Sequence, residues 1–219
     1  MTRGKALLQQ EAFEEAAALL NGLVERDPGS AVAWHCLGIA WNWLKRSEEA
    51  IGAFNRALAL NPALADAYSS KALVLADLGR FAEALESLER VVALDLDDPD
   101  GWNNLAGTMY FLGRKEEALY AIDHALALDP HNSHTLSNRA LFLEDLAPVD
   151  EALAAVQQAM EALPGESPYA SQLWRELARL LRQLDRWVPA ALAERRAEEL
   201  EHARQEKMPG CSARHWWLR

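Results

Sequence analysis

A chain of 219 residues, half of them apolar, with nine Pro and eleven Gly, is long enough to bury a core and carries none of the bias of a disordered segment. Its formal charge of -11 opposes a general affinity for phosphate backbones, so nucleic acid is excluded as an expected partner. Two cysteines, Cys36 and Cys211, make neither a disulfide framework nor a zinc spacing, no apolar run is long enough to span a bilayer, and Met1-Thr2-Arg3-Gly4-Lys5 leads into no secretory core. The expectation is a cytoplasmic protein without membrane insertion.

Taken in chain order, the sequence copies one unit with a period of 34 residues. Residues 1–30 read as an incomplete copy, with Gly4 and Leu7 on a first stripe that lacks its opening turn and Ala16, Leu20 and Leu23 on a second. The clearest copy, 31–64, carries Trp34, Leu37, Gly38, Trp41, Ala50, Phe54, Ala57 and Pro62. Copy 65–98 answers with Tyr68, Lys71, Ala72, Leu75, Ala84, Leu88, Val91 and Leu96, and copy 99–132 with Trp102, Leu105, Ala106, Met109, Ala118, Ile122, Ala125 and Pro130. Copy 133–166 follows with Leu136, Arg139, Ala140, Leu143, Ala152, Val156, Ala159 and Pro164. After four extra residues, 167–207 restores the pattern at Trp174, Leu177, Ala178, Leu181, Ala190 and Ala197, with Glu194 at a normally apolar place and a charged capping helix. Residues 208–219 form a tail that breaks the period at Pro209-Gly210 and ends in Trp216-Trp217-Leu218, for which docking back on the last repeat is the first reading and a partner or self-association contact the second.

Each copy splits into two apolar stripes of helical period around a polar break, which predicts a helical hairpin. Ala50, Phe54 and Ala57 share one helix face, and small residues there let paired helices approach closely. Gly79 and Gly113 sit where a first helix must stop, because Gly accepts the left-handed conformation at low cost. Asp27-Pro28, Asn61-Pro62 and Asp129-Pro130 end second helices, since the residue before Pro leaves the helical region. Asp98-Pro99 and Ser167-Pro168 mark helix starts.

The order aromatic, aliphatic, small, large, then Ala, large, Ala and Pro resembles the tetratricopeptide repeat over nearly the whole chain. Lys71, Arg139 and Leu96 depart from it. The resemblance implies an all-α, right-handed superhelical solenoid of antiparallel helix pairs, about six repeats over 1–207 with the first incomplete. It implies a concave groove lined by the first helices, binding a protein or peptide without a cofactor.

By that resemblance the sixth place of the repeat faces the groove, and it holds Cys36, Ser70, Asn104, Asn138 and Glu176. Asn104 and Asn138 resemble part of an asparagine ladder, because an amide can both donate to and accept from a peptide backbone; two ordinary polar residues on the helix surface are the other reading. The twelfth and thirteenth places hold Asn42 and Trp43, Ala76 and Asp77, Tyr110 and Phe111, and Glu144 and Asp145. Trp43 and Phe111 offer area for an apolar or basic side chain, although packing against a neighbouring helix reads equally well for Trp43. With Asp66, Asp77, Asp100 and Asp145 nearby, the expected ligand is an extended, partly basic peptide. Ser69, Leu73, Asn103 and Ser137 supply no cation for a chaperone-type carboxylate clamp.

His131 and His134 read as turn residues, and Cys211 with His215 is too little for zinc, so no metal is expected. Glu48-Glu49 and Glu116-Glu117 complement helix dipoles at second-helix starts. No phosphate loop or nucleophile elbow is present, and the expectation is a scaffold, not an enzyme. The alternatives are the recognition arm of a larger enzyme or secretion complex, and a homo-oligomer formed through terminal helices if Leu7, Leu8 and Phe13 are exposed.

Overall fold

The computed structural model describes residues 2–163 and 170–207, without the side chains of residues 2, 145 and 204–207. Pro164, the Ser167-Pro168 start, the Cys211–His215 pair and the Trp216-Trp217 tail lie outside the described residues, as does the side chain of Asp145. Among the described residues there are twelve helices and no strand. They form two compact units, Met1–Leu96 and Asp97–Arg219, a division that falls inside the expected repeat 65–98 at Leu96, the residue standing where other copies have Pro.

The first unit holds α1 (Thr2–Gln9), α2 (Phe13–Arg26), α3 (Ala31–Trp43), α4 (Ser47–Leu60), α5 (Ala65–Asp77) and α6 (Phe81–Leu94). The second holds α7 (Pro99–Phe111), α8 (Lys115–Leu128), α9 (Ser133–Leu146), α10 (Val149–Ala162), α11 (Ala170–Gln183) and α12 (Trp187–Lys207). Within each unit, consecutive helices pair as hairpins, and each hairpin packs on the next.

The pairing rests on a small residue in each first helix set against a large one in the second. A Cβ added to Gly38 would meet the Phe54 ring at 2.5 Å, and one added to Gly4 would meet Leu20 at 2.8 Å. The same places hold Ala72 and Leu88, Ala106 and Ile122, and Ala140 and Val156, all buried. Phe54 is the largest of these partners, and its helix pair is one of the two that require glycine. The Ala50, Phe54 and Ala57 stripe is buried as its spacing predicts.

The hairpin turns repeat as well. Gly79 and Gly113 take φ of 74° and 77°, and the equivalent places in other copies hold Glu11, Lys45 and Asp185 at φ of 58°, 62° and 57°. The left-handed residue lets the next amide reach back: Arg46, Arg80, Arg114 and Arg186 donate to the carbonyls of Trp41, Leu75, Met109 and Leu181 at 2.8–2.9 Å. Three of these arginines also clasp the start of the second helix, as the pairs Arg46–Glu49, Arg80–Glu83 and Arg114–Glu117. The fifth turn departs from this pattern because Pro148 follows Ala147, which stays at φ of -120°.

Second helices stop at Asp27, Asn61 and Asp129, whose Oδ1 atoms accept from the amides of Gly29, Ala63 and His131 and so hold the break before each new hairpin. Asp98 caps α7 by accepting from the Asp100 amide at 3.0 Å. Arg139, one of the departures, stays at the surface by pairing its Nε with Asp123 Oδ1 at 2.6 Å. Leu7, Leu8 and Phe13 differ from the exposed apolar edge expected of a terminal hairpin. They are half-buried, Leu7 and Leu8 against the core that α2 and α3 share, because even a short α1 covers that face.

Gly38→Ala is expected to destabilise the chain by about 1–3 kcal/mol through overpacking, and Gly38→Ala/Phe54→Leu to recover most of that loss, as read by urea unfolding. A double variant no more stable than Gly38→Ala would refute the size match.

Candidate functional site

Two linkages between neighbouring repeats decide which side chains of the first helices remain at the surface. In the first unit, His35 Nε2 of α3 lies 3.0 Å from Ser70 Oγ of α5. In the second, at the same two places, Asn138 Nδ2 of α9 donates to Asn103 Oδ1 of α7 at 2.9 Å. Asn103 and Asn138 are both fully buried, and Asn138 Nδ2 also lies 3.4 Å from His134 Nε2. Burial holds the His35 imidazole below its ordinary pKa against the opposing pull of Asp66, so it is neutral in this linkage at neutral pH. Burial likewise pushes the Cys36 thiol up, which leaves it protonated and unreactive.

A second recurrent contact joins the two helices of one hairpin. Arg56 lies over the Trp34 ring at 5.9 Å and Arg90 over the Tyr68 ring at 6.0 Å. One repeat later His124 takes the arginine's place and stacks on Trp102 with centroids 4.2 Å apart. The aromatic residue that opens each of these copies is therefore held from its own second helix.

The candidate residues divide accordingly. Ser70 is half-buried in its linkage with His35. Asn138 does not stand on the groove surface as the ladder reading expects: it has no exposed area, because the Asn103 amide takes its place in the seam between α7 and α9. Asn104 remains half-buried on α7, and its carbonyl accepts from Thr108 Oγ1 at 3.0 Å. Tyr110 stacks on Phe142 of α9, centroids 4.5 Å apart, and packs between repeats. Ala76 at the same place in the first unit is buried.

The thirteenth place behaves differently. Trp43 keeps 50% of its surface exposed while one ring face stacks on Phe13 at 5.0 Å, as the packing reading expects. Asp77 is exposed at the end of α5, and Asp66 is exposed at its start. Phe111 keeps 46% exposure and meets Tyr110 edge-on at 5.9 Å. Asp145 occupies this place on α9. The first unit thus presents an aromatic face with carboxylates, and the second an aromatic face beside Asn104.

In the sequence Asn103 is read only as a place that supplies no cation and His35 is not singled out, although the signal for their linkages was available: polar residues at the fifth place lie 35 residues before polar residues at the sixth. The Arg56, Arg90 and His124 series was equally visible as a 34-residue recurrence. Near the start of α7 the carboxylates of Asp98, Asp100 and Asp129 crowd together. Burial first, then these neighbours, raise the Asp100 pKa from its ordinary value. Among the described residues no three His, Cys, Asp or Glu side chains converge on a point that could hold a metal.

The family model described as the tetratricopeptide repeat matches residues 1–65 and 69–133. No curated protein matches the chain. Among solved structures, PilF of Pseudomonas aeruginosa is similar with 18% identity and a TM-score of 0.74, over 96% of this chain and 90% of that one. YrrB, described as a repeat protein of this type with an unusual peptide-binding site, is similar with 16% identity and a TM-score of 0.66, over 88% of this chain and all of that one. A thermophilic repeat protein of Thermus thermophilus is 23% identical with a TM-score of 0.64, over 81% of this chain and 94% of that one. At these identities the likeness is one of fold.

Asn103→Ala removes the acceptor of a buried amide and is expected to cost about 1–3 kcal/mol, whereas Asn104→Ala stays within about 0.5 kcal/mol; guanidinium unfolding distinguishes them. Asp100 binds its proton more tightly folded than unfolded, so its penalty applies above its folded pKa and fades as pH falls through it. Asp100→Asn is therefore expected to raise the melting temperature at pH 7 and to lose that advantage in the acid range where Asp100 is protonated. An equal gain at both pH values would contradict the crowding.

Proposed function

The chain belongs to the tetratricopeptide-repeat family, and from that membership we propose that it is a non-enzymatic scaffold that captures an extended, partly basic peptide on its first helices. Protein or peptide partners are what the fold implies, and among the described residues no helix is long and apolar enough to cross a membrane. The finer reading rests on one observation: at the thirteenth place Trp43, Asp77 and Phe111 stay exposed after packing has used their neighbours. Trp43 offers a ring to a long apolar or cationic side chain, and Asp66 and Asp77 on the next first helix supply negative charge. Phe111 offers the same area in the second unit, with the Asn104 amide for the peptide backbone and Asp100 nearby on α7.

Asn138 then acts through position, fixing α9 against α7. The net charge of -11 favours a cationic partner and opposes nucleic acid. The peptide-binding site named for YrrB belongs to a protein of the same fold, and a peptide is accordingly the class of ligand proposed here.

The test is fluorescence anisotropy of the full chain with labelled twelve-residue peptides holding Lys or Arg and one Phe or Leu, against acidic peptides of the same apolar content. Basic peptides are expected to bind and to weaken with added salt. Trp43→Ala/Asp77→Asn and Asn104→Ala/Phe111→Ala are each expected to lose about tenfold in affinity, on the order of 1.4 kcal/mol, with the helical circular dichroism unchanged. Equal binding of acidic and basic peptides, or two indifferent variants, rejects the reading.

A further inference from the structure

The last helix carries an apolar strip on the wrong side for a further repeat. At the start of α12, Trp187, Val188 and Leu192 are 62%, 74% and 64% exposed, and Ala191 between them is exposed too. In the earlier second helices the places of Val188 and Leu192 hold Glu48 and Gly52, Ala82 and Glu86, Glu116 and Tyr120, and Asp150 and Ala154, so the outward face is small or polar except at Tyr120. The places that a following hairpin buries behave in the opposite way. Ile51 and Leu58 are buried on α4, whereas α12 offers exposed Ala191 and Glu198 there. Charge closes the stacking face, and apolar area is moved beside it. Arg182–Glu194 and Arg175–Glu201 bind α12 to α11, so the strip belongs to a firmly seated helix.

We propose that this strip is the docking site for the chain's own residues 208–219, with Trp216, Trp217 and Leu218 seated on Trp187, Val188 and Leu192. Reach supports this occupant. From Lys207 back to Val188 is nineteen helical residues, about 28 Å along the axis at ~1.5 Å each. From Lys207 forward to Leu218 is eleven residues, which extended span at most about 38 Å, enough for a reversal and a return along α12 towards Leu192 and Val188. Pro209-Gly210 stands where such a segment must reverse direction. The segment also brings Arg214 and no carboxylate side chain towards exposed Asp185 and Glu198. The exposed strip is apolar area that water penalises, the tail sequence is apolar at Trp216-Trp217-Leu218, and the intervening length suffices to bring the two together.

The test is disulfide trapping in the full chain with Cys36→Ala and Cys211→Ala. Val188→Cys/Leu218→Cys is compared with Tyr120→Cys/Leu218→Cys, since Tyr120 occupies the Leu192 place of α8 and is equally exposed. Under mild oxidation the first pair is expected to close within one chain at least tenfold faster than the second, and Leu192→Asp is expected to remove that advantage. Equal rates for the two pairs overturn the proposal, as does cross-linking that joins two chains, which would make a second copy the occupant. Unchanged circular dichroism of each variant shows that the comparison is made on folded protein.

Discussion

Everything else in the molecule depends on how closely two antiparallel helices can approach within each hairpin. That distance is set where Gly38 faces Phe54 and Gly4 faces Leu20, with a Cβ excluded by contacts of 2.5 and 2.8 Å. Alanine suffices where the partner is Leu88, Ile122 or Val156. At the last hairpin the same place holds Glu194, which cannot be buried unpaired and instead reaches Arg182.

Once the hairpins are fixed, the turns and the inter-repeat linkages decide what is left for a ligand. A left-handed residue followed by Arg46, Arg80, Arg114 or Arg186 closes the first helix in four of the copies. This geometry aims the residues just before the turn outward, which is why Trp43, Asp77 and Phe111 are exposed. Nearer the start of the same helices, side chains are spent on neighbours: His35 on Ser70, and Asn138 on Asn103. What packing leaves exposed near the ends of these first helices is aromatic in both units, at Trp43 and Phe111.

The helices, their caps and their order were legible because a 34-residue recurrence states the same local rule several times, and Pro or Gly punctuates most of its joints. The left-handed turns at Glu11, Lys45 and Asp185 were less visible, since nothing in those residue types announces positive φ; only their alignment with Gly79 and Gly113 does. The site was legible in part. Periodicity places Asn104 and Asn138 alike, yet the structure leaves one half-buried and covers the other completely, because the residue preceding Asn104 is itself an amide able to fill the seam. Whether a polar side chain looks outward or across to the next repeat depends on that neighbour, and one-dimensional spacing does not encode it. Tyr110 was displaced from the candidate surface in the same way, by Phe142 one repeat on.

The proposed recognition of a ligand belongs to the first helices of the hairpins. Amide hydrogen exchange of the full chain, with and without a saturating basic peptide that carries one Phe, tests this most directly. Slowing concentrated in α3, α5, α7 and α9 and absent from α4, α6 and α8 is the predicted result. Slowing confined to the second helices, or to α12 alone, would contradict it.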